Sequence, residues 1–133
     1  AHNLLRRLIA HGQAYDDMHE MIRERYESNE QKIVLEFTEP IPRYALTKYK
    51  DVQVVVSPVT AEDVDHWMAA VVPVQERSFQ NRVIFPEAWA GLAHEELEAI
   101  SGIEGAIFCH KERYIFVAET KKAALKAAHH ARG

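Results

Sequence analysis

Ala106-Ile107-Phe108-Cys109-His110, Lys111-Glu112-Arg113 and Tyr114-Ile115-Phe116-Val117-Ala118 form the stretch that decides the fold. Two short apolar runs flank a charged turn, the pattern of a β-hairpin. Thr120 follows at once as a good helix N-cap, and Lys121 to Ala131 reads as a helix. A hairpin closed by a helix points to a sheet with helices laid over it.

Working backwards, His94 to Ser101 reads as a short helix, with Gly102 at its C-cap position. Glu76 to Leu92 has little periodicity. Its Phe79, Phe85 and Trp89 predict an ordered, packed loop. His66 to Val72 and Val52 to Ser57 read as strands, joined by the polar, acidic run Thr60 to Asp65 and bounded by Pro58 and Pro73. Ile33 to Phe37 is apolar with little alternation, which predicts a central strand buried on both faces. Arg43 to Tyr49 reads as a short helix with Pro42 near its first turn. Residues 3–28 place Leu4, Leu8, Tyr15, Met18, Ile22 and Tyr26 near one stripe of a long helix. The sum is an α+β fold: a small mixed five-stranded sheet covered by three or four helices, with a long N-terminal helix. We divide it into an N-terminal helix, residues 1–29, which could connect two domains, and an α+β domain, residues 30–133.

Composition bounds the function. The chain has 133 residues, 47% apolar and 27% charged, as expected for one globular domain. Sixteen basic against twenty acidic residues give a net charge of −4, which argues against a dedicated nucleic-acid coat protein but not against a local basic patch. No run of about 18 apolar residues exists to span a membrane. The first residues resemble no signal peptide, so a cytoplasmic location is expected. The chain opens without Met, so a processed chain or a piece of a longer protein is expected. Cys109 is the single cysteine. It can form no internal disulfide and no cysteine-based zinc site, and it reads as a buried apolar thiol.

Candidate chemistry is sparse. Asp16, Asp17, His19 and Glu20 are the densest ligand-like group, and Asp16, His19 and Glu20 share a helix face. A metal site there would need ligands from other helices, and a solvated helix face is the favoured reading. His129-His130 is explained by a frayed, cationic helix end. Cys109 and His110 are neighbours on a strand, so they point to opposite faces and cannot act as a nucleophile–base pair. No phosphate-cradling glycine loop, nucleophile elbow or H-E-x-x-H motif occurs. The segment Arg77-Ser78-Phe79-Gln80-Asn81-Arg82 differs in kind, with two arginines, small polar groups and an aromatic in one loop. Arginine forks suit phosphate, and an aromatic can stack on a base. The competing reading has Arg82 satisfying loop carbonyls or pairing with Glu87.

A resemblance adds to this. Ser78-Phe79-Gln80-Asn81-Arg82, Phe85-Pro86-Glu87-Ala88-Trp89-Ala90-Gly91-Leu92, Glu95-Glu96-Leu97 and Ser101-Gly102-Ile103-Glu104-Gly105-Ala106-Ile107-Phe108-Cys109-His110 occur in that order. Together they closely resemble the C-terminal half of the melanocyte-proliferating-gene (MYG) family. Ile33-Val34-Leu35 and Pro42 resemble an earlier strand and proline of that family, so the likeness covers roughly residues 30–128. The family carries the label "metal-dependent protein hydrolase". It is related to the DHH phosphoesterases, and its eukaryotic members are described as 3′→5′ RNA exonucleases.

The resemblance implies a division of labour. The family's metal motifs, T-H-N-G and F-H-x-D-E, lie in its N-terminal half, and His2-Asn3 is only a two-residue echo of them. The implied role is a C-terminal substrate-side domain of a metal-dependent phosphoesterase or exonuclease, binding no cofactor itself. A divalent Mn or Mg is expected in the N-terminal half. Implied partners are that N-terminal catalytic domain and single-stranded RNA or a nucleotide, with homo-oligomerisation left open and no membrane. Arg82 would face phosphate, with Ser78, Asn81 and His110 as polar neighbours and Glu87 and Trp89 shaping the loop. Two departures stand out. Phe116-Val117 occupies the place of a glycine-containing pair, and Arg43 that of a tryptophan. They keep open a rival reading as a binding or oligomerisation module without substrate contact. A third reading is a self-contained hydrolase built on Asp16, His19 and Glu20.

Overall fold

A computed structural model describes residues 17–60, 66–75, 78 and 80–132. The chain divides into two units, Ala1–Glu30 and Gln31–Gly133. In the first, residues 17–28 are helical (α1). Glu20 and Arg23 form an exposed ion pair at 3.4 Å on it. The remainder of the helix expected over 3–28 lies outside the described residues.

The second unit is built on β1 (Val34–Glu36), β2 (Val54–Pro58), β3 (Trp67–Val71), α2 (His94–Ser101), β4 (Ala106–Cys109), β5 (Ile115–Ala118) and α3 (Lys121–Ala128). The sheet order is β1-β2-β3-β5-β4, so β1, expected to be central, lies at an edge and pairs with β2. β1 runs parallel to β2, and the other pairs are antiparallel. This is the mixed five-stranded α+β fold expected from the sequence. Among the described residues no helix is long and apolar enough to cross a membrane.

Register explains the core. Val56 pairs with Ala69, Ala69 with Phe116, and Phe116 with Cys109. That row faces α3, whose Ala123, Ala124, Ala127 and Ala128 are buried. Four alanines let the helix lie close to the sheet, and Phe85, Trp89 and Phe116 fill the remaining space. Phe85 and Trp89 stack at 6.0 Å, and Trp89 meets Phe116 at 5.3 Å. Leu35, Val55 and Ala70 alternate onto the opposite face and are fully buried there.

Local signals act as chemistry demands. Thr120 accepts a hydrogen bond from the Ala123 N–H at 3.1 Å, capping α3. Gly102 ends α2 in the left-handed region, φ +71°. Three details differ from expectation. The helix expected from Arg43 to Tyr49 is a single 3-10 turn, Arg43–Leu46. Pro58 does not end β2 but pairs with Trp67 as its last residue. Pairing with β1 stops at Val56, so the missing proline N–H leaves no ladder bond unmade. The C-terminus does not fray at His130. That ring packs 5.3 Å from Trp89, and Arg132 exchanges backbone hydrogen bonds with Ile84.

β4 carries an irregularity. Ala106 opposes Ala118 while Phe108 opposes Val117, so Ile107 is an extra, bulged residue.

Candidate functional site

The two open readings of Arg82 are separated by its hydrogen bonds. Its Nη1 donates to the carbonyls of Tyr49 at 2.7 Å and Val52 at 2.6 Å, and its Nη2 to that of Thr47 at 2.6 Å. The turn after the 3-10 segment points three carbonyls inward, and a guanidinium is the side chain whose fork can serve them together. Burial lowers the Arg82 pKa from its ordinary value. Arg82 is thus the loop-satisfying arginine, and Glu87 is not its partner.

The other expected residues fall into two groups. Ser78 Oγ accepts the Gln80 N–H at 3.0 Å, a turn within its own loop. Arg77 and Phe79 lie outside the described residues. Trp89 is buried in the core, and Glu87 opens the 3-10 turn Glu87–Trp89. Asn81 and His110, by contrast, are drawn into one surface band.

That band is centred on Arg43. Its Nη1 donates to Asn81 Oδ1 at 2.6 Å and to the Val71 carbonyl at 3.1 Å. Its Cζ lies 4.4 Å from the centroid of the Tyr114 ring, a cation–π contact. The His110 ring lies 4.4 Å on from Tyr114, and Phe108 6.3 Å beyond His110. Phe108 is 37% exposed, high for so large an apolar group. His110 Nδ1 accepts the Glu112 N–H at 3.0 Å, which places the neutral ring's proton on Nε2. Burial lowers the Arg43 pKa, and attraction to Tyr114 partly offsets this. The band is an arginine and three rings in sequence, with Asn81 fixing one end.

Sequence reasoning missed Arg43 and Tyr114 as members. Arg43 reaches partners 28 and 38 positions away, which no local pattern reports. Its one signal was standing where the resembled family has tryptophan.

Elsewhere, a groove of about 510 Å³ lies beside the β4 bulge, lined by His66, His94, Ile107, Glu119 and Thr120. His94 has φ +50°, a strained conformation for a residue with a Cβ. The residue pair in place of the family's glycines is split. Phe116 is in the core, so it closes no surface approach, and Val117 is half-buried on the other face. Asp16 lies outside the described residues. Among the described residues no group of three or more His, Cys, Asp or Glu is placed to hold a metal ion, so no metal step is derived for this chain. Cys109 is fully buried, and burial raises its pKa to about 11 despite the opposing effect of Arg113.

Comparison with known proteins gives this geometry a setting. The MYG1 exonuclease family model, described as an uncharacterised protein family (UPF0160), matches residues 2–131. The chain is 37% identical over 70 residues to the MYG1 exonuclease of Homo sapiens, covering 53% of this chain and 19% of that protein. It is 36% identical over 86 residues to the MYG1 protein of Dictyostelium discoideum, covering 64% of this chain and 26% of that protein. With the MYG1 protein of Chlamydia pneumoniae it shares 41% over 64 residues, 47% of this chain and 22% of that protein. The matched stretches thus span a fifth to a quarter of these relatives' length. No solved structure matches. The match over residues 2–131 places the chain in the MYG1 exonuclease family.

Proposed function

We propose that this chain is the C-terminal, substrate-side domain of a MYG-type metal-dependent exonuclease and is not catalytic by itself. The divalent metal, Mn or Mg, and the hydrolytic groups belong to an N-terminal half that it partners. The substrate is single-stranded RNA or a nucleotide. One observation carries the reading. Asn81 and His110, from segments that resemble the family, meet across Arg43 and Tyr114 in a single band. A cation beside a row of rings that ends on the exposed Phe108 is surface chemistry that can hold a single strand without reading its sequence.

The test uses the chain with a short end-labelled RNA and Mn or Mg. The expected result is binding that weakens with salt, and no shortening of the RNA. Shortening by the purified chain would overturn the non-catalytic assignment. Absence of binding at low salt would overturn the substrate-side assignment in favour of an oligomerisation module.

A further inference from the structure

We propose that Arg43, Tyr114 and His110 form a subsite for one nucleotide of a single strand, with phosphate on the free edge of Arg43 and the base on the rings. This deepens the substrate-side reading and rests on it. Of its three residues the family likeness supplied only His110; Arg43 and Tyr114 come from the geometry.

Three observations support it. First, Arg43 is only partly engaged. Both of its hydrogen bonds among the described residues leave from Nη1. Among the described residues Nε and Nη2 make none, so a guanidinium edge with parallel donors remains, the geometry that pairs with a phosphate. Second, among the described residues no carboxylate pairs with it. Described ion pairs join Arg23 to Glu20 and Lys121 to Glu36, not Arg43. A half-buried cation without a counter-charge favours an anion. Third, its plane is fixed. Asn81 holds one end and Tyr114 lies beneath it, so little side-chain freedom is lost when a ligand arrives.

The rings set the remainder of the ligand. Tyr114, His110 and Phe108 continue outward from the arginine at 4.4 and 6.3 Å spacings. Stacking on such a surface accepts any base. A nucleotide joins an anion to a flat aromatic group, whereas an acidic peptide would leave the rings unused. Arg82 offers no equivalent, because three carbonyls surround its fork.

Binding of a fluorescein-labelled short oligouridylate to the full chain at low salt tests the subsite. Tyr114→Leu should weaken binding about two- to fivefold, because Arg43 loses the ring that fixes its plane. Tyr114→Phe should retain it. Arg43→Gln should weaken binding and reduce the salt slope by roughly 0.7, one single-strand phosphate contact. Arg43→Lys should keep that slope but not the full affinity. Lys126→Gln, on α3, should bind as the parent does, and polyglutamate should not compete. If the parent binds while Arg43→Lys, Arg43→Gln and Tyr114→Leu all bind equally well, the subsite is wrong and the substrate-side reading stands. If polyglutamate competes as well as oligouridylate, the site is a general anion patch and the nucleotide assignment fails. If the parent binds no oligonucleotide, both fall.

Discussion

Arg82 Nη1 donates to the Val52 carbonyl at 2.6 Å across thirty positions of sequence. With Tyr49 and Thr47 also accepting, one side chain ties the loop before β2 to the loop after β3. Arg82→Ala should therefore lower stability by about 2–4 kcal/mol, since hydrogen bonds to a charged donor are lost and carbonyls are left unpaired. Chemical denaturation measures this. Arg82→Lys should recover part of the loss. A stable Arg82→Ala protein that only loses RNA affinity would return Arg82 to a ligand-facing role.

Phe116 fills the space between Trp89 and Phe85, at 5.3 and 5.9 Å. Phe116→Ala should lower stability by about 3–5 kcal/mol through the cavity it leaves. Restoring glycine there, as in the resembled family, should be worse still, because glycine also weakens a strand interior. Thermal melts of both variants check the order.

Thr120 caps α3 through the Ala123 N–H. Thr120→Ala should destabilise by about 1 kcal/mol, and Thr120→Ser should restore most of it. Denaturant midpoints of the two variants compare them directly.

Cys109 should resist alkylation in the folded protein at mildly alkaline pH and react once denatured, because burial raises its pKa to about 11. The shift also sets a pH dependence. Between the ordinary value of 9.0 and about 11 the unfolded chain releases this proton and the folded chain keeps it. Stability therefore falls as pH rises through that window, and the contribution is fully present below it. Replacing Cys109 with Ala should flatten that part of the stability curve.

The elements legible in the sequence were those with local causes. His94 to Ser101 is the observed α2, because Gly102 supplies the left-handed stop. Thr120 marks the start of α3 for a similar reason. Cys109 was placed inward as a lone apolar thiol on the face opposite His110, and it is fully buried. Arg43 to Tyr49 looked like a helix because Pro42 favours a first turn. It stops at Leu46, and the carbonyls of Thr47, Tyr49 and Val52 turn to Arg82 instead. The parallel pairing of β1 and the reach of Arg43 to Asn81 are long-range choices. Periodicity carries no record of them. Arg82 stood in the right loop, but which of its two uses applied depended on carbonyls some thirty residues away.

The bulge at Ile107 and the brevity of β1 have a consequence for crowding. β1 offers three residues at one margin of the sheet, and β4 is interrupted at the other. An incoming strand from a neighbouring molecule finds no long, regular ladder to extend at either margin. Runaway self-templating, the hazard of a small β-sheet with Val-rich strands, is therefore checked by geometry at both ends.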